Sequence, residues 1–347
     1  MTKNKLRKAT IRDVAKAVGV HHSTVSRALS PDTRGKISSA VVRQVERAAE
    51  KLGYNRNIMA YSLRHNRSFT IGILIPDLMN PIFPPMIRGV QDVVETAGYT
   101  LMSANTDDDE EKEQQSLRSM QERAIEGIII STAHRQDETV DACISKDIPF
   151  VLINRTVDRD DVNAVVIDED FGVRCALDHL VALGHTRIAH IAGPHTTSTG
   201  YERRRAFEEY VRAKNLCDDL IEETHFFTIA EGHRALSNLY KRDGSFTAVL
   251  GGNDLIALGC MDAMRDLGLS VPDDVSVAGY NDMQFLDRMS PALTTVVIPK
   301  YAMGKLGAKM LLEVVDGKHV EPLVHRLRPK LAVRQSTAAL SPRQPVI

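Results

Sequence analysis

The sequence predicts an all-α helix-turn-helix head followed by a two-lobed α/β core with parallel sheets. Three observations carry this. Residues 10–29 hold two short helical patterns of apolar residues joined at Gly19. From residue 69 onward, short apolar runs alternate with helical patterns, which is how a doubly wound architecture reads in sequence. Charge is also split. Residues 1–67 contain 15 Lys and Arg against 4 Asp and Glu, a net of +11, whereas the remainder holds 29 against 41, a net of −12.

The first helix starts at Thr10, a good N-cap, with Asp13 three residues on near the positive helix end. Ile11, Val14, Ala15 and Val18 recur at helical spacing, and Gly19 follows where a helix ends in the left-handed conformation. Val20, Val25, Ala28 and Leu29 give the second helix its buried side, and small Ala15 lets the two helices cross closely. His21, His22, Ser23, Ser26 and Arg27 then point away from that core. A helix projecting such a row suits the major groove, where base edges offer donors and acceptors. Alone, the hairpin reads equally as an ordinary surface pair of helices. The basic head favours DNA, because cations on phosphates gain affinity by counterion release. Ser38 or Ser39 caps a third helix, with Val42, Val45, Ala49 and Leu52 facing the first two and Gly53 ending it.

Asn57 to Arg64 forms a segment of about two turns, too short for an isolated helix in water. It is expected to form only when packed against a partner, and His65 to Ser68 reads as a linker. The body then opens with the strand Thr70–Ile75, a helical stretch to Gly98 and the strand Tyr99–Ala104. Similar runs recur at Gly127–Ile130, Phe150–Ile153, Ala164–Ile167, Arg187–Ala192, Ala248–Leu250 and Val275–Ala278. So long a series divides into two lobes, with ligand bound outside the carboxyl ends of the strands. The acidic run Asp107 to Glu111 lacks the glycine and spacing of a calcium loop and reads as a solvated helix start. The predicted organisation is a head over 1–56, a hinge helix and linker over 57–68, and a body over 69–347.

Several function classes are disfavoured. The first strand is followed by Asp77-Leu-Met-Asn-Pro-Ile-Phe83 rather than Gly-x-Gly-x-x-Gly, and Walker A, His-Glu-x-x-His and Gly-x-Ser-x-Gly are missing. No catalytic residue, metal site or cofactor is therefore expected, and His185 and His190 read as structural. The four cysteines (Cys143, Cys175, Cys217, Cys260) are far apart and suit reduced thiols. The basic N-terminus has no apolar h-region and no run has transmembrane length, so a cytoplasmic protein without membrane contact is expected.

From Thr10 to about Ser336 the chain resembles the lactose-repressor (LacI/GalR) family of bacterial transcription regulators. In the head the resemblance rests on Ile11-Arg-Asp-Val-Ala-Lys16 and Thr24-Val-Ser-Arg27, and then on Leu52-Gly-Tyr54, Ala60-Tyr-Ser-Leu63 and Asn80-Pro81. In the body it rests on Leu183-Gly-His185, Ile191-Ala-Gly-Pro194, Asn253-Asp254, Val271-Pro-Asp-Asp-Val-Ser276 and Pro291-Ala-Leu-Thr-Thr295. It implies a DNA-binding head, a hinge helix and a type I periplasmic-binding-protein-like core that dimerises. His22, Ser23 and Arg27 occupy recognition-helix positions that usually contact bases. His21 stands where the family usually has the cap serine, which weakens the helix start or alters the contact. Leu63 matches the leucine wedged into the minor groove, where an apolar wedge unstacks a step and bends the duplex. The DNA-binding candidates are Thr10, His21, His22, Ser23, Thr24, Ser26, Arg27, Asn55, Ala60, Leu63 and Arg64.

For an effector the resemblance points to Phe83, Asn154, Thr197, Thr199, Arg203, Phe227, Asn253 and Asn281, with Arg155 beside them. Members that bind neutral sugars or purines often carry Asp where Asn154 and Asn281 stand. Losing two negative charges beside Arg155 and Arg203 favours a sugar acid, sugar phosphate or other small carboxylate over a neutral sugar. Pro84-Pro85 is expected to reshape the cleft mouth. The expected partners are a pseudo-palindromic operator, a small-molecule effector and a second copy of the chain. The tail after Ser336 has no leucine heptads, so a dimer is expected rather than a tail-mediated tetramer. The resulting expectation is a transcriptional regulator, most simply a repressor, under allosteric control by a sugar, a sugar acid or another small carboxylate bound between the lobes. The alternatives are a solute-binding protein without a DNA role and an α/β enzyme with a DNA-binding head.

Overall fold

The structure, a computed structural model, describes residues 9–30, 33–54, 67–318 and 321–340. The chain divides into two compact units, Met1–Ser68 and Phe69–Ile347.

In the first unit, α1 (Ile11–Val18), α2 (His22–Ala28), a 3₁₀ turn (Arg34–Lys36) and α3 (Ser39–Leu52) surround one small core. Val14, Val25 and Val45 are fully buried there, with Ala15, Ala28, Val42 and Ala49 filling the gaps. Thr10 and Asp13 form a reciprocal capping box: Asp13 N–H donates to Thr10 Oγ1 at 3.4 Å, and Thr10 N–H donates to the Asp13 carboxylate at 2.8 Å. Gly19 ends α1 at φ 73, a left-handed position that glycine fills without strain. Ser38 caps α3 and Gly53 ends it at φ 63. Leu52 departs from expectation. It is 41% exposed, because the helix ends on it and the chain reverses at Gly53, so Tyr54 covers the core instead. The segment 55–66, with Asn55, Ala60, Leu63 and Arg64, lies outside the described residues.

In the second unit, the described residues form twelve strands in two sheets of six. The first-lobe sheet has the order β11-β5-β4-β3-β1-β2, built from β1 (Thr70–Ile75), β2 (Thr100–Asn105), β3 (Gly127–Ile130), β4 (Phe150–Ile153), β5 (Ala164–Ile167) and β11 (Val324–Leu327). The second-lobe sheet has the order β12-β10-β9-β8-β6-β7, from β6 (Ile188–Ala192), β7 (Ile221–Glu223), β8 (Ala248–Gly251), β9 (Ser276–Asn281), β10 (Thr294–Val297) and β12 (Lys330–Ala332). Pairing is parallel apart from β12, which runs antiparallel to β10. The central strands β3, β5, β6 and β8 are buried along their whole length, as a sheet covered on both faces requires.

Helices α4 (Phe83–Thr96), α5 (Glu110–Glu122), α6 (Glu138–Ser145) and α11 (Lys300–Val315) belong to the first lobe. Helices α7 (Glu169–Ala182), α8 (Ser198–Ala213), α9 (Ile229–Arg242) and α10 (Asp254–Asp266) belong to the second. The chain passes between lobes three times: after β5, between β10 and α11, and between β11 and β12. Strands β7, β10, β11 and β12 go beyond the predicted series. Among the described residues, no helix is long and apolar enough to cross a membrane, and all four cysteines are free thiols.

Candidate functional site

The first candidate site is the outer face of α2. Val25 and Ala28 turn into the core, which leaves His21, His22 and Arg27 exposed and Ser23, Thr24 and Ser26 half-buried beside them. His21 supplies the helix cap that serine would otherwise provide. Its Nδ1 accepts from the Ser23 N–H at 3.4 Å and lies 2.8 Å from Ser23 Oγ, with the His22 ring 4.0 Å away. Thr10 is exposed at the start of α1. Short polar side chains and one guanidinium therefore project from a rigid two-helix frame.

The second site is a cleft of about 340 Å³ between the lobes of the body. It lies where strands end and helices begin. Asp77 follows β1, Asn154 follows β4 and Asn281 ends β9, while Thr228 and Asn253 are the N-caps of α9 and α10. Of the nine sequence candidates, Phe83, Asn154, Arg155, Thr199, Arg203, Phe227, Asn253 and Asn281 line it. Thr197 does not. It is fully buried as the N-cap of α8, where its hydroxyl accepts from Gly200 N–H at 3.2 Å and donates to Pro194 O at 2.9 Å. Sequence reasoning missed Asp77, Asn80, Asp107, Asp108, Phe226 and Thr228. A second aromatic beside Phe227 and a Thr cap ahead of Ile229 were the available signals for two of them.

Both arginines of this cleft are already paired. Arg203 and Glu169 are each 3% exposed and form a bidentate pair, Nε donating to Oε2 at 2.8 Å and Nη2 to Oε1 at 2.9 Å. The guanidinium also donates to Gly252 O at 2.8 Å and stacks 3.8 Å over the Tyr280 ring. Arg155 is buried and donates to Asp108 Oδ1 at 2.7 Å and to Thr132 O at 2.9 Å. This corrects two expectations. The acidic run is only partly a solvated helix start, since Asp109 caps α5 while Asp107 and Asp108 are left-handed residues on the cleft wall. The two arginines, for their part, do not face the cleft as uncompensated cations.

What remains for a ligand is mostly uncharged. The side-chain oxygens of Asn154 and Asn281 are buried without a hydrogen-bond partner. Both residues have positive φ, 68 and 112, an uncommon backbone conformation for a residue other than glycine. The N-terminus of α4 abuts the cleft at Phe83, but Pro84 and Pro85 fill its first turn and lack N–H groups. The consequence of the two prolines is thus the loss of donors there. Behind Arg155, burial and the nearby Asp137 push the Glu113 carboxyl up to about 7, and it bonds Thr132 Oγ1 at 2.7 Å. His190 is held neutral, its pKa lowered by burial to about 4, with Nδ1 at 2.9 Å from Leu250 O.

Comparison with known proteins adds an independent finding. Residues 10–57 match the family described as bacterial regulatory proteins, lacI family, and residues 177–337 match the periplasmic binding protein-like domain. The chain is 31% identical to the ribose operon repressor of Halalkalibacterium halodurans over 328 residues, 94% of this chain and 97% of the relative. It is 30% identical to the HTH-type transcriptional repressor PurR of Aliivibrio salmonicida over 336 residues, 96% of this chain and all of the relative. In structure it is similar to the lac repressor dimer bound to operator and the anti-inducer ONPF, with a TM-score of 0.84 and 26% identity over 96% of this chain and 100% of that one.

Proposed function

The chain belongs to the LacI family of bacterial regulatory proteins, and from that premise we propose a DNA-binding transcriptional repressor whose operator affinity is set by an uncharged, hydroxyl-rich small molecule held between its two lobes. Two copies act together, each placing α2 in a major groove of a pseudo-palindromic site. The effector acts by binding one arrangement of the lobes better than the other. The protein works in the cytoplasm, where its DNA is, and binds the effector without transforming it.

One observation carries the choice of effector class: the side chains of Asn154 and Asn281 line the cleft as uncharged amides while both arginines are already neutralised by carboxylates. A primary amide both donates and accepts, and so does a hydroxyl, so a hydroxylated ligand can satisfy either end of each side chain. A carboxylate ligand would find both arginines already paired, would meet the carboxylate of Asp77, and would find no N–H on Pro84 or Pro85 in the first turn of α4. The aromatic rings of Phe83, Phe226 and Phe227 offer apolar faces for the C–H side of a sugar ring. These features favour a neutral sugar over the acid expected from the Asp-to-Asn departures.

The test uses the full-length protein. Operators are selected from random duplex DNA, and the protein is then screened by thermal shift against ribose, other neutral monosaccharides, gluconate and ribose 5-phosphate. Stabilisation by one or more neutral sugars, with none from the acids, is expected. Stabilisation by the acids alone would overturn the effector class, and failure to enrich any DNA sequence would overturn the regulator.

A further inference from the structure

The corner of the chain that presents Asn281 is held by a side chain from the other lobe. Asn281 and Asp282 leave β9 with φ values of 112 and 54, two consecutive non-glycine residues in a sparsely populated region. Lys300 opens α11, the helix by which the chain re-enters the first lobe. Its ammonium donates to the carbonyl oxygens of Asn281 at 2.6 Å and Asp282 at 2.7 Å. Burial lowers the pKa of Lys300, and the nearby Asp282 and Asp254 oppose that shift. Two other anchors complete the corner: Met283 N–H donates to Asp254 Oδ2 at 2.8 Å, and Arg334 donates to the Asp282 carboxylate at 2.7 Å.

Helix α11 is in turn packed against α4 with almost nothing between them. A Cβ placed on Gly304 would come within 2.0 Å of Met86 O, and one on Gly89 within 2.2 Å of Tyr301 O. Helix α4 begins at Phe83, on the cleft wall. A contiguous path therefore leaves the cleft at Asn281, passes through Lys300 and α11 to α4, and returns to the cleft at Phe83.

We propose that Lys300 is a positioning residue for the effector: its ammonium fixes the Asn281 corner so that the Asn281 amide faces the cleft, and it ties that corner to α11 of the first lobe. This rests on the reading that Asn281 contacts a hydroxylated ligand. Lys300 itself touches no ligand, and a lysine that only stabilised the fold would act equally with or without the Asn281 amide.

Two measurements on the full chain test the proposal. The first needs no ligand and is a crystal structure of Lys300→Met. A corner that relaxes, with the Asn281 amide turned out of the cleft, supports the proposal, and an unmoved Asn281 overturns it. The second is a double-mutant cycle with ribose as probe. Lys300→Met is expected to weaken ribose binding about tenfold in the wild-type background and less than about twofold in Asn281→Ala, because coupled residues are not additive. Lys300→Arg, which keeps the charge and donors, restores most of the affinity. Equal losses in both backgrounds would overturn the proposal. Should ribose fail to bind the wild-type protein, the ligand reading fails for that sugar, and the crystal structure alone decides the role of Lys300.

Discussion

Arg203 shows why a cleft arginine is not by itself an anion site. With 3% of its surface exposed and Glu169 equally buried, it is half of an ion pair, and only its remaining N–H groups are available to a ligand. Removing one partner of such a pair leaves a buried charge and costs roughly 3–5 kcal/mol of stability. Arg203→Ala therefore disturbs fold and binding together, whereas Asn281→Ala breaks no ion pair and costs only the strain of alanine at a φ of 112. Glu113 gives a prediction in pH. Its folded-state pKa is about 7 against 4.5 in the unfolded chain, chiefly from burial. The native state then holds a proton that the unfolded state has released between those values. Glu113 thus makes stability fall as pH rises from about 4.5 to 7, by up to about 3 kcal/mol. Urea titrations of wild type and Glu113→Gln across pH 5–8 should show the variant gaining on wild type as pH rises. Parallel pH profiles would contradict the assignment.

At the scale of elements, legibility mostly followed burial, with β10 the exception: Thr294–Val297 is an interior strand, but its two threonines interrupt the apolar run. Strands that are apolar along their whole length, such as Gly127–Ile130 and Ala164–Ile167, were readable because a sheet covered on both faces admits little else. β7, β11 and β12 were not. They are short, include Glu222, Glu223, His325, Arg326 and Lys330, and lie at sheet edges, where one side of the strand has no neighbour. In the cleft, residue type was legible and partnership was not. Nothing in sequence spacing places Asp108 beside Arg155, 47 positions away, or Glu169 beside Arg203. Thr197 was misassigned because a threonine near a ligand cleft and a threonine capping a helix read alike. The α4–α11 contact supplies a further prediction. Because a methyl on Gly304 would meet backbone rather than a flexible side chain, Gly304→Ala should lose stability at the upper end of the roughly 1–3 kcal/mol typical of overpacking. A urea midpoint equal to that of wild type would show that the helices can separate without cost.

At the scale of the molecule, a head of +11 is joined to a body of −12. The body is net acidic and the head net basic, so operator affinity should fall steeply with salt chiefly through the head. Arg27, exposed on α2, is expected either to read a base or to contact a phosphate. Arg27→Ala should weaken operator binding at matched salt, and a reduction of the log–log salt slope by about one would mark a phosphate contact rather than a base contact. Unchanged affinity would remove α2 from the interface. In a repressor of this kind, operator affinity depends on what occupies a cleft in the other unit. Titration of the full-length protein onto a selected operator by fluorescence anisotropy, at one salt concentration, tests this dependence most directly when repeated with saturating neutral monosaccharides and with gluconate. At least one neutral sugar is expected to change the operator Kd by about fivefold or more, gluconate is expected to leave it unchanged, and Asn281→Ala should abolish the change. An operator Kd indifferent to every neutral sugar, or one that responds to gluconate alone, would contradict this expectation.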